Sequence, residues 1–275
     1  MYGCDFLKRV ITTLLIVALC IPLVSCNKFG NGENTETTQK PTVRITFPEG
    51  YTVLQVAQLL EEKGVCTSID FLTVAKTLPA DYSLTAELKN TDNRIFLLEG
   101  YIFPDTYDFY VGEGAQNALW RFLKNISSKI TQEDKDRAAQ LGYTIDEILT
   151  LASIIQSEAG TSSEMKTVSS VFHNRLKSSY KKLESDVTIL YIKDKLSTVI
   201  TDDAQRENYY NFYSTYTVSG LPIGAICNPG RAAITAALYP DETEYYFFVT
   251  DKNTGAYYYA KTFAEHKQNC KRAGW

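Results

Sequence analysis

Histidine is nearly missing from this 275-residue chain, which has His173 and His266 and no others. Cysteine is sparse as well, at six, and no two cysteines stand in a CxxC arrangement. With no HExxH and no His-rich tract, the spacings that hold zinc are absent, and the sequence implies neither a metal nor another cofactor. The glycines form no GxxxxGK[ST] or GxGxxG, so no phosphate-cradling loop is expected, and no GxSxG presents a nucleophilic serine. A basic excess is lacking too: 28 Lys and Arg against 32 Asp and Glu give a net charge of −4. Nucleic acid requires a positive field, so no nucleic-acid partner is expected. No apolar run reaches the ~20 residues that cross a bilayer as a helix.

What is present is ordinary globular material, 44% apolar and 22% charged, enough for one or two domains. The chain is rich in flat rings, with 19 Tyr and 13 Phe, which suit a sugar-handling surface as well as a core. At the start, Lys8 and Arg9 precede a mostly apolar run from Val10 to Val24, short for a span and right for a signal h-region. The run ends Leu23-Val24-Ser25-Cys26, which looks like a bacterial lipobox. Residues 1–25 are therefore expected to be a lipoprotein-type signal peptide, with Cys26 as the lipidation site; an uncleaved signal anchor is the alternative. Both put the body on the extracytoplasmic face of the cell membrane. Residues 26–40 are polar and Gly/Asn/Thr-rich, a flexible tether. The remaining Cys66, Cys227 and Cys270 allow at most one internal disulfide, and the sequence does not decide whether Cys227 and Cys270 pair.

From residue 43 the pattern predicts a strand (Val43 to Phe47), a helix capped by Thr52 and stopped at Lys63-Gly64, and a short helix around Phe71 to Ala75. Residues 79–94 are turn-rich and read as a boundary, dividing a small module (41–90) from a larger domain (91–275). In the larger domain, helices are expected at 118–130, from Thr144 to about Ala159, and at 165–177 with Ser162 or Ser163 as its cap. A buried strand at 245–250 turns through Lys252-Asn253-Thr254-Gly255 into a hairpin, and a helix closes at 263–272. Helices in the middle with antiparallel strands late give an α+β class.

One acid falls on an unexpected face. In the 145–159 helix, Glu158 lies seven residues after Leu151, four after Ile154 and three after Ile155, so it shares their apolar stripe. Burial disfavours the charged carboxylate, and the negative end of the helix pushes the same way. A glutamic acid kept protonated is what cleavage of a glycosidic bond needs from a general acid. Gln156 and Ser157 fall off the stripe.

Other candidates compete with it. Ser163-x-x-Lys166 and Ser178-x-x-Lys181 fit an SxxK nucleophile, yet no SDN or KTG follows. Asp186 is either a second carboxylate making a hydrolase pair with Glu158, or a hydrogen-bonding residue at the start of an apolar segment. The ring-rich stretch 208–217 leads into a Gly/Pro-rich loop at 220–230, and reads either as a carbohydrate surface or as a loop packed by its own tyrosines.

Three segments, LEGYIFPDTY (98–107), LASIIQSEAG (151–160) and YSTYTVSGLPIGAICNPG (213–230), together with VSSVFHNRLK (168–177), LESDVTILY (183–191) and AEHKQN (264–269), resemble the YceG-like endolytic murein transglycosylases. The resemblance implies a small LysM-like N-terminal module, the alternative being a packing subdomain with no ligand, followed by a mixed helix and antiparallel-strand catalytic domain. It implies cleavage of the MurNAc-β-1,4-GlcNAc bond of peptidoglycan to give 1,6-anhydro-MurNAc ends, terminating nascent glycan strands. Glu158 is then catalytic, while Asp186, Tyr213, Thr215, Tyr216 and Asn228 hold the glycan or support the acid. The implied partners are peptidoglycan glycan strands, the membrane through the N-terminal anchor, and peptidoglycan synthases. Two departures stand out: the family commonly has two glutamates at the helix end where this chain has Gln156 and Glu158, and Ser214 stands where Asn is usual. The alternatives left open are a non-catalytic cell-wall-binding lipoprotein and a peptidoglycan glycoside hydrolase using Glu158 and Asp186.

Overall fold

The alternation at 43–47 does form a strand, but its partner is far along the chain. The computed structural model describes residues 40–77, 82–86, 88 and 91–275, so the expected signal peptide, Cys26 and all but the end of the tether lie outside the described residues. Strand β1 (Thr42–Thr46) pairs antiparallel with β2 (Thr106–Tyr110), Val43 facing Phe109 and Ile45 facing Tyr107. Ile45, Tyr107 and Phe109 are buried, while Arg44 and Asp108 form an exposed forked ion pair at 2.8 and 2.9 Å. Between the strands run α1 (Val53–Glu62), opened by a Thr52–Gln55 capping box, and α2 (Ser68–Ala75). Helix α3 (Ala115–Lys129) lays its apolar stripe on this ribbon, with Phe122 4.6 Å from Tyr107 and 5.1 Å from Phe47 between ring centres.

Next come α4 (Gln132–Leu141), α5 (Ile145–Glu158), α6 (Met165–Lys177), a short α7 (Val187–Leu190) running into a π turn, α8 (Asp203–Tyr213) and α9 (Arg231–Leu238). A second antiparallel ribbon, β3 (Phe247–Thr250) with β4 (Tyr257–Ala260), precedes α10 (Phe263–Arg272). The α+β class is as expected. Helix α5 packs against α9, whose Ala233, Ala236 and Ala237 are buried and let the two helices approach closely. Phe47, Phe71 and Leu151 all belong to one continuous apolar cluster. No helix among the described residues is long and apolar enough to cross a membrane.

Three local expectations change. Helix α6 is preceded by Glu164 and has no side-chain cap, so neither Ser162 nor Ser163 serves. Strand β3 is half-buried rather than buried, because a two-stranded ribbon has no neighbouring strand to cover it. Residues 208–213 are the end of α8, so the loop begins only at Ser214.

A second acid is buried in this core. Glu99 accepts from the Val53 N–H at the start of α1 (2.9 Å), from the Tyr191 hydroxyl (3.0 Å) and from Asn228 Nδ2 (3.1 Å). Burial pushes its carboxyl up to about 8, against the pull of those donors. The folded protein thus keeps a proton that the unfolded chain releases near the ordinary 4.5, and stability falls as pH rises from about 4.5 to about 8. Glu99→Gln removes that loss. Its stability relative to the wild type is expected to improve across this window by on the order of 4 kcal/mol, read by denaturant unfolding at pH 5 and pH 8. A difference that does not change with pH would refute the assignment.

Candidate active site

Helix α5 is fixed at both ends, and this sets where Glu158 points. At its start, Thr144 Oγ1 accepts from the Glu147 N–H (3.2 Å) and Glu147 Oε2 accepts from the Thr144 N–H (2.8 Å). Asp146 takes Arg94 in a forked pair at 2.9 and 2.5 Å and the Tyr101 hydroxyl at 3.0 Å, all buried. At its end, the Tyr257 hydroxyl from β4 donates to the Glu158 carbonyl (2.9 Å) and accepts from the Gly160 N–H (2.8 Å). That satisfies a carbonyl the helix would otherwise leave open.

Leu151, Ile154 and Ile155 are fully buried, and Glu158 follows on their face. The residue as a whole is only half-buried, but its carboxyl end is drawn into the protein. Burial raises its pKa first; the Ser185 hydroxyl, donating to Oε1 at 2.5 Å, pulls it down; the charge of Asp186 raises it again. The net direction is upward, toward the protonated acid.

Ser185 is itself held in place. Its N–H donates to Thr215 Oγ1 (2.9 Å), and its carbonyl accepts from Thr188 Oγ1 (2.9 Å) and Thr215 Oγ1 (3.2 Å). The approach to it is strained: Lys181 and Glu184 sit at φ +53° and +48°, left-handed conformations that side chains disfavour. The Gly220 N–H on the Lys181 carbonyl (2.7 Å) and the Glu184 N–H on the Thr215 carbonyl (3.2 Å) hold them there. The two loops thus brace each other at the acid.

Glu158, Ser185, Asp186 and Tyr216 line one cavity of about 430 Å3, and the Tyr216 hydroxyl donates to Asp186 Oδ1 at 2.8 Å. Thr215 lies one layer behind, buried against Ser185. Tyr213 and Asn228 do not line this cavity. Tyr213 is buried against Tyr191, with ring centres 5.4 Å apart. Asn228 Oδ1 accepts from the Gly100 and Ile102 N–H groups, each at 2.9 Å, and its Nδ2 reaches the Tyr51 carbonyl and Glu99. A larger cavity of about 630 Å3 lies between α6 and residues 240–245, and its acids Asp241, Glu242 and Glu244 are exposed. Among the described residues no group of three His, Cys, Asp or Glu side chains could hold a metal, and Cys66, Cys227 and Cys270 are all free thiols.

Sequence reasoning missed Ser185 and Tyr257. Ser185 stands beside Asp186 in a segment read only for its acid, and Tyr257 is in a hairpin read only as fold. Ser185→Ala removes the bond that lowers the Glu158 pKa. The alkaline limb of the pH–rate profile should move to higher pH, with kcat reduced about tenfold. An unmoved limb would show that Ser185 only packs.

The YceG-like family matches residues 27–272 of the chain. An endolytic murein transglycosylase of Bacillus subtilis (strain 168) is 30% identical over 234 residues, 82% of this chain and 63% of that protein. One from Streptococcus pneumoniae (strain D39) is 28% identical over 253 residues, 86% of this chain and 45% of that protein. The chain therefore spans under two thirds of these relatives' length. A crystal structure of a yceG-like protein from Listeria monocytogenes superposes with a TM-score of 0.67 at 28% identity, covering 84% of this chain and 77% of that one. The family match extends over most of the chain, and this chain belongs to the YceG-like family.

Proposed function

We propose that this chain is an endolytic peptidoglycan lytic transglycosylase, with Glu158 as both acid and base. One observation carries the reading: a carboxyl driven toward neutrality by burial, oriented by Ser185, and opening into a cavity beside Asp186 and Tyr216. The names of the relatives support it.

Glu158 donates its proton to the bridging oxygen as the C1–O bond of MurNAc breaks and GlcNAc leaves. The carboxylate then takes the proton of the MurNAc 6-hydroxyl as O6 attacks C1. The ring closes as 1,6-anhydro-MurNAc, the acid is regenerated, and no water is consumed. Burial favours the protonated start, and the short Ser185 bond steadies the ionised intermediate. Asp186 and Tyr216 contact the glycan, Thr215 supports the acid through Ser185, and Tyr213 and Asn228 support the cavity from the core behind.

The proposal extends to the whole organisation: a lipoprotein-type signal peptide at 1–25, lipid on Cys26, a tether to residue 40, a LysM-like module at 41–90 whose β1 is completed by β2 of the next segment, and the catalytic domain at 91–275. So anchored on the extracytoplasmic face, the cavity sits near nascent strands, whose termination beside peptidoglycan synthases is its role.

Asp186 in the same cavity favours a second reading, hydrolysis by a carboxylate pair. Mass spectrometry of digested peptidoglycan separates the two, since hydrolysis adds one water to the product. The expected result is anhydro-ended fragments from the wild type and at least about a hundredfold less from Glu158→Gln with its fold intact. Reducing-end products, or undiminished release by Glu158→Gln, would overturn the proposal.

A further inference from the structure

The far wall of the Glu158 cavity uses none of the residues the sequence singled out for sugar contact. It is built by β3, α10 and Trp275. Phe263 and Trp275 are 58% and 67% exposed, yet neither is loose. The Trp275 indole Nε1 donates to the Thr250 carbonyl (2.9 Å) and its backbone N–H to the Cys270 carbonyl (2.9 Å). The Lys252 ammonium sits over its ring, 3.8 Å from the centroid. Phe263 rests against Phe247 at 5.8 Å, and Phe247 is stacked on His266 at 5.2 Å.

A large aromatic ring gains most by burial, so two held in the open, on the wall of a cavity with a buried acid, form a surface kept for a ligand. The same cavity offers hydrogen-bonding groups at Glu184, Asp186 and His266. Flat apolar faces alternating with polar groups match a pyranose, which presents a C–H face and a rim of hydroxyls and amides. An endo-acting enzyme also has to grip the strand on both sides of the bond it breaks, and this wall is continuous with the acid. We propose that Phe263 and Trp275, anchored at the two ends of β3, form a carbohydrate-binding wall that stacks N-acetylhexosamine rings of the strand entering the Glu158 cavity. The inference rests on the transglycosylase reading for its choice of ligand and for the kinetic arm of its test, while the binding arm needs no turnover.

The test uses the full chain in detergent, carrying Glu158→Gln to prevent turnover and Trp120→Phe so that Trp275 is the sole tryptophan. The probe is peptidoglycan glycan strands stripped of their stem peptides. Titration should give a saturable change in Trp275 emission, and Phe263→Ala should weaken binding about tenfold. In the otherwise wild-type enzyme, Trp275→Ala should raise KM for the same strands about tenfold and leave kcat and the anhydro product nearly unchanged. Binding that leaves Trp275 emission unmoved, or Trp275→Ala and Phe263→Ala enzymes with wild-type KM, would overturn the subsite. Failure of the catalytic reading looks different: products then carry an extra water or do not depend on Glu158, whatever Trp275 reports.

Discussion

A carboxyl on the apolar face of a helix is a liability that the surrounding structure has to contain, and much of this molecule is arranged around it. Because Glu158 continues the stripe of Leu151, Ile154 and Ile155, α5 cannot rotate to expose it without exposing them. The capping box and the Arg94–Asp146 pair hold the helix start, and Tyr257 closes its end. What remains is a group whose surroundings penalise charge and whose one strong donor, Ser185, softens that penalty. Such a balance lets one side chain give up a proton and take one back.

Comparison with Glu99 explains why burial alone does not make an active site. Both acids are raised by desolvation. Glu99 is surrounded on both oxygens by Val53, Tyr191 and Asn228, and its work is to bind the start of α1 to the 98–102 turn and the 228 loop. It lines neither of the two cavities described above, and both of its oxygens are taken by protein donors. Among the described residues, Glu158 has a hydrogen-bond partner on Oε1 alone, and its residue lines an open cavity. A perturbed acid points to chemistry when its second oxygen is left for a substrate.

This difference marks what could be read from the sequence. Short-range rules worked: the Thr52 and Thr144 caps, the helices at 53–62, 145–158 and 263–272, and the facing of Glu158 all follow from spacings of three and four residues. Helices α4 and α9 were not legible because one is nearly all polar and the other is short and half alanine. Partnerships across long separations were not legible. The bonds of Ser185 to Glu158 and of Tyr257 to the helix end, 27 and 99 residues apart, exist only once the chain is folded. The aromatic cluster at 208–217 drew attention by density, yet burial takes Tyr213 into the core, while the exposed rings on the cavity wall are Tyr216, Phe263 and Trp275.

Gln156 shows how a neighbour of the acid on the same helix is fixed without touching it. Two residues before Glu158, it points to a different wall, where its Oε1 accepts the Gly230 N–H at the start of α9 (3.0 Å). A carboxylate could accept the same bond. The difference is Glu49, whose carboxyl occupies the space where a side chain on Gly230 would begin, while its neighbour Gly50 lies against Gln156. A glutamate at 156 would set a second carboxyl in that corner, and the amide keeps the hydrogen bond as a neutral group. Position 156 thus answers to the packing of α5 against Gly230 and Glu49, and position 158 to the cavity. The residue at 156 can therefore change without displacing Glu158.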